Sequence, residues 1–133
     1  MNNEIQKTLA DAAMKVRERA YARYSQFAVG AALYSANGQM FFGCNVENAA
    51  YGLTICAERA AVCAALAAGH REFTLLAIAS NGGVPPCGAC RQVLVEFSPN
   101  LPILLINTDA PNQPTETNLR DLFPNAFQLK TEN

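Results

Sequence analysis

Near the start of the chain the apolar residues recur at helical intervals. Ile5, Leu9, Ala12, Ala13, Val16 and Ala20 mark one stripe between Ile5 and Tyr24, which predicts an amphipathic helix. The spacing then changes. Two apolar runs, Ala28–Tyr34 and Met40–Val46, flank Asn37-Gly38, and Asn-Gly between such runs predicts a β-hairpin. The alanine-rich "LTICAERAAVCAALAAGH" predicts a second helix, stopped by Gly69. Phe73–Ser80 is nearly all apolar and sits between turn residues, as a buried parallel strand does. "NGGVPP" reads as a loop, and Cys87–Phe97 as a third helix ended by Ser98-Pro99. "PILLIN" is a further buried strand, "APNQPTETN" a loop, and Leu119–Leu122 a short helix.

After the first helix the order is therefore β-β-α-β-α-β, an α/β layered arrangement with helices packed on a sheet. No internal repeat and no linker interrupts it, so residues 1–133 read as a single domain. Half of the residues are hydrophobic and 16% are charged, enough to build a core and too apolar for disorder. The net charge of −1 changes the picture of partners. Lys7, Lys15, Arg17, Arg19 and Arg23 are interleaved with Glu4, Asp11 and Glu18, as on a solvated helix face. A nucleic-acid partner is disfavoured, and small-molecule substrates are expected.

The opening residues lack a continuous apolar segment, which argues against a signal peptide. No apolar run reaches the ~18 residues of a membrane span. Five cysteines, an odd number, fit a reduced cytoplasmic setting better than a disulfide framework.

The candidate chemistry lies in "PPCGAC" and "TICAER", both where a helix is predicted to begin. A C-x-x-C pair alone is ambiguous between a redox dithiol, half of a structural zinc site and part of a catalytic one. A helix N-terminus favours thiolate, the form that binds metal. Cys87 and Cys90, three apart, share one face of a first turn. Cys56 and Glu58, two apart, would point to nearly opposite sides of a regular helix. They share a site only if Cys56 stands at the very start of the helix.

Three thiolates leave a tetrahedral zinc one position short. His70 stands at the far end of the second helix, roughly 20 Å from Cys56. Cys63 and Cys44 read as small buried hydrophobes. A three-thiolate site with an open fourth position is the catalytic pattern. Three thiolates and Zn²⁺ sum to −1. Arg59 and Arg91 are the candidates to offset that charge, with surface ion pairs as the alternative for both.

Taken together, "NVENA", "CAERAA" and "PCGACRQ", in this order, resemble the short-chain cytidine deaminases. The resemblance runs from the first helix to about Phe123. It implies a three-layer α/β/α fold with a mixed five-stranded sheet, and a homotetramer with shared sites. It implies one zinc held by Cys56, Cys87 and Cys90, with Glu58 as proton shuttle. Asn45 and Glu47 would read the ribose, Phe27 would contact the pyrimidine, and Ala57 would offer backbone groups to the base. Tyr51 would reach a neighbouring subunit's site, and Phe123 would close a neighbour's pocket.

The implied reaction is hydrolysis of cytidine and 2′-deoxycytidine to the uridine nucleosides and ammonia, as in pyrimidine salvage. Zinc-bound hydroxide would attack C4. The rivals are a relative acting on another aminopyrimidine such as a blasticidin-type antibiotic, a non-catalytic zinc module, and a redox dithiol.

Overall fold

The computed structural model describes residues 3–131. Helix α1 (Asn3–Arg17) buries Leu9 and Ala13, one turn apart, against the sheet. It ends seven residues before the periodicity does. Glu18, Arg19 and Ala20 bond to carbonyls three positions back. Tyr21 then leaves the helix to pair its backbone with Asn45 and Glu47. Strand-like pairing to a distant segment overrides the local helical pattern there.

Strands β1 (Gly30–Ser35) and β2 (Met40–Cys44) form the expected hairpin, with Gly38 at φ +83° in its turn. Helix α2 (Ala57–Ala67) follows a single 3₁₀ turn at Tyr51–Leu53. Gly69, at φ +91°, ends it, and the His70 N–H returns to the Ala65 carbonyl at 2.9 Å. Strand β3 (Phe73–Ser80), helix α3 (Gly88–Phe97) and strand β4 (Pro102–Asn107) make a parallel crossover unit.

One element departs from the pattern reading. Thr115–Asn118, expected inside a loop, is strand β5, antiparallel to β4. Its four residues are polar and it lies at the sheet edge, so no apolar alternation marks it. Glu116 on this strand accepts a hydrogen bond from Gln6 of α1 at 3.1 Å. Helix α4 (Leu119–Leu122) follows, with the Asn118 side chain accepting the Asp121 N–H.

The sheet order is β2-β1-β3-β4-β5, with only β3 and β4 parallel. Strand alternation sends Leu75, Ala77, Ala79, Leu104 and Ile106 to the α1 side. Leu76, Ile78, Ile103 and Leu105 pack on the other side with α2, α3 and α4. This is the three-layer α/β/α fold with a mixed five-stranded sheet. Glycine sets the closeness of the layers at two points. A Cβ on Gly30 would lie 2.1 Å from the Ala13 carbonyl oxygen, and one on Gly43 would lie 2.3 Å from that of Ala57.

Candidate metal centre and active site

Two helix N-termini meet at the cysteines. Cys56 is the N-cap of α2, at φ −73° and ψ 154°. Cys87 is the N-cap of α3, at φ −68° and ψ 170°. Both have extended backbones, so Cys56 does stand at the turn-in that sharing a site with Glu58 requires. The segment before Cys87 is tied in place. Gly82 and Gly83 take positive φ, the buried Ser80 hydroxyl accepts the Val84 N–H at 3.1 Å, and Pro86 is buried. Arg91 donates to the Pro86 carbonyl at 2.7 Å and the Leu122 carbonyl at 2.6 Å. It braces that loop against α4.

The Sγ atoms of Cys56, Cys87 and Cys90 lie within 4.8 Å of one another, the pair Cys56–Cys87 at 3.9 Å. Sulfurs at tetrahedral corners with Zn–S bonds of ~2.3 Å are about 3.8 Å apart, so the spacing suits zinc. The donor set is soft, as zinc tolerates and harder cations do not. Cys90 is fully buried. The adjacent Cys90 side chain holds Cys56 down to about 5, with help from Arg59 and Cys87, against the cost of burial. Cys56 beside it, with burial and the negative charge of Glu58, pushes Cys90 far up, so Cys90 keeps its proton. A dication among the sulfurs would displace that proton.

Arg59 Nη2 donates to Cys56 Sγ at 3.4 Å and to the Thr54 carbonyl at 3.3 Å. Of the two arginines singled out in the sequence, it is the one in contact with the trio. Glu58 is 5% exposed, and burial, with the Cys56 charge adding to it, raises its carboxyl above the usual range. Phe27, Asn45, Cys56, Ala57, Glu58 and Cys87 line one cavity of about 190 Å³.

Glu47 and Tyr51 line an adjoining cavity of about 350 Å³, which shares Thr54 with the first. Asn45 is buried. Its Oδ1 accepts the Val29 N–H at 2.9 Å and its Nδ2 donates to the Phe27 carbonyl at 2.8 Å. Phe123 lines neither cavity and packs, partly buried, against the α2–α3 core.

Cys63 is exposed on α2, contrary to the expectation of burial, because the covered face of that helix carries Ala57, Ala61, Val62 and Ala65. Cys44 is half-buried. His70 packs on Phe41 with the rings tilted at 50° and 5.0 Å between centroids. Ser25 escaped the sequence reading although its hydroxyl bonds the Glu47 carboxylate. The only local sign was a hydroxyl two residues before Phe27.

Fold and site together define a class: an α/β/α zinc protein with a buried acid beside a thiolate trio. The comparisons narrow it. The family described as the cytidine and deoxycytidylate deaminase zinc-binding region matches residues 3–104. The cytidine deaminase of Sporosarcina psychrophila is 44% identical over 127 residues, covering 93% of this chain and 91% of the relative. That of Mycobacterium tuberculosis is 48% identical over 112 residues, covering 83% and 80%. The crystal structure of the Burkholderia pseudomallei cytidine deaminase superposes with a TM-score of 0.86 at 48% identity, covering 96% of this chain and 100% of that one. The chain belongs to the zinc-dependent cytidine deaminase family.

Proposed function

We propose that the chain hydrolyses cytidine and 2′-deoxycytidine to uridine and 2′-deoxyuridine with release of ammonia, serving pyrimidine salvage in the cytoplasm. The observation that carries this reading is the buried Glu58 carboxyl in one cavity with Cys56, Cys87 and Phe27. Cys56, Cys87 and Cys90 are the zinc ligands. Bound there, the ion would supply Lewis acidity and an acidified water.

The chain's own residues do the rest. Glu58, its carboxyl raised by burial, is suited to take a proton and give it back. It takes one from the attacking water, delivers it to ring N3, and passes a proton to the departing amine. The C4–O bond forms, the C4–N bond breaks, and one water is consumed. Arg59 offsets the negative thiolate cluster through Cys56.

Phe27 contacts the pyrimidine. Ala57 opens α2, where backbone N–H groups lack helical partners and are free for the base. Asn45 and Glu47 meet the sugar hydroxyls. Asn45 spends one amide hydrogen on the Phe27 carbonyl and accepts the Val29 N–H at Oδ1, so it keeps its second amide hydrogen.

Tyr51, 77% exposed, and the nearby exposed Leu53 and Ile55 support self-association as a homotetramer with Tyr51 at a neighbour's site. Phe123, partly buried against its own core, keeps part of its ring exposed to close a neighbour's pocket. Among the described residues the sulfur group has three members, which weighs against a closed four-ligand zinc module. No helix among them is long and apolar enough to cross a membrane.

An ammonia-release assay on the zinc-loaded chain tests the reading across cytidine, 2′-deoxycytidine, cytosine and a blasticidin-type aminopyrimidine. Turnover of both nucleosides is expected. Turnover of the antibiotic alone, or of none, would refute it.

A further inference from the structure

Glu47 is held by the chain before any sugar arrives. Its Oε1 accepts the N–H groups of Tyr24 at 2.9 Å and Ser25 at 3.0 Å. Its Oε2 accepts the Ser25 hydroxyl. The same hydroxyl oxygen accepts the Phe27 N–H at 2.9 Å. Gln26, between them, sits at φ +62°, a left-handed position that an ordinary side chain rarely takes. That reversal brings the Phe27 N–H back onto Ser25 Oγ. On its other side, Phe27 is held through its carbonyl by Asn45 Nδ2.

The directions of these bonds are fixed by chemistry. A backbone N–H only donates, so Ser25 Oγ must accept from Phe27. Its single hydrogen then goes to Glu47. Glu47 is thereby kept as an acceptor, and its carboxyl lies below the usual value, chiefly through the Ser25 hydroxyl and then the Ser25 N–H. With Oε1 filled by two donors, Oε2 keeps one lone pair for an incoming hydroxyl.

We propose that Ser25 is a positioning residue for nucleoside binding, its hydroxyl locking the sugar-reading carboxylate of Glu47 and the base-contacting Phe27 into one geometry. This rests on the reading of Glu47 and Phe27 as nucleoside contacts given above. Ser25 itself touches the substrate in neither role. It acts through the two residues it joins, so its loss should appear as weaker binding with the proton chemistry at Glu58 intact.

The test is steady-state cytidine kinetics on the zinc-loaded chain, with zinc content and melting temperature measured on each variant. Ser25→Ala should raise KM about tenfold or more, the scale of one lost charge-assisted hydrogen bond. kcat should stay within about threefold and zinc content should be unchanged. Ser25→Thr, which keeps the hydroxyl, should restore KM. Ser25→Cys, a poor donor of similar size, should not, and it serves if the alanine variant fails to fold.

In a Glu47→Gln background, Ser25→Ala should raise KM by less than it does in the unaltered chain, because one of the two partners it positions is already changed. Additive effects would overturn the proposal. So would an unchanged KM in Ser25→Ala while Glu47→Gln raises it, and in that case the sugar-reading role of Glu47 stands. An unchanged KM in Glu47→Gln would remove that role first, and the proposal with it. Loss of zinc or of melting temperature in both Ser25→Ala and Ser25→Cys would mark Ser25 as a general fold residue and also overturn it.

Discussion

Gly43→Ala tests how the fold sets the site. The new methyl would lie 2.3 Å from the Ala57 carbonyl oxygen, 2.5 Å from the Ala61 nitrogen and 2.9 Å from the Ala60 Cβ. Comfortable contacts of this kind are about 3.5 Å. The two shortest are to helix backbone, which cannot rotate aside as a side chain can. Helix α2 must therefore retreat from β2 by about 1 Å. Overpacking of this kind costs about 1–3 kcal/mol, a fall of roughly 4–12 °C in melting temperature for a domain of this size.

The larger effect is on the reaction. The first turn of α2 carries Glu58, and its N-cap is Cys56. Cys87 and Cys90 belong to α3, which the methyl does not touch. Cys56 and Glu58 are thus pulled together away from Cys87 and Cys90, and about 1 Å of misplacement costs roughly 100-fold in rate. Thermal melts, zinc content and cytidine turnover measure the three effects. Gly52→Ala is the control for melting temperature, because a Cβ there meets no heavy atom within 4 Å. A Gly43→Ala protein with unchanged melting temperature and turnover would refute the claim that this close approach sets the site.

Two further predictions concern the metal centre. Cys87→Ala should lose both zinc and turnover, read by elemental analysis, and full zinc retention would remove Cys87 from the ligand set. Arg59→Ala should weaken zinc binding about 10–100-fold in competition with a chelator, as loss of an outer partner to a metal ligand does. Unchanged affinity would show that the contact to Cys56 Sγ contributes nothing.

Most of the fold could be read from the chain because its core elements carry apolar patterns. Phe73–Ser80 and Pro102–Asn107 are buried runs and became β3 and β4. Strand β5 was hidden because Thr115–Asn118 are polar residues at an edge, ordered by pairing with β4. The end of α1 was misplaced because Tyr21 answers to Asn45 and Glu47, distant in sequence, and not to its own neighbours. Cys63 looked buried because nearly every residue of α2 is apolar, and composition alone does not say which side meets the sheet.

At the site, the motifs named the cysteines and Glu58, and left open how Cys56 and Glu58 could face one cavity. The extended backbone of Cys56 answers that. Ser25 could not be found this way. Its importance comes from Glu47, 22 positions on, and from a left-handed Gln26 that no residue type announces.

The most direct test of the central claim compares the unaltered chain with Glu58→Gln, measuring bound zinc and uridine formed from cytidine on the same preparations. One zinc per chain is expected in both proteins, with turnover in the unaltered chain and almost none in Glu58→Gln. Substantial turnover by zinc-loaded Glu58→Gln, or none by the zinc-loaded unaltered chain, would contradict that claim.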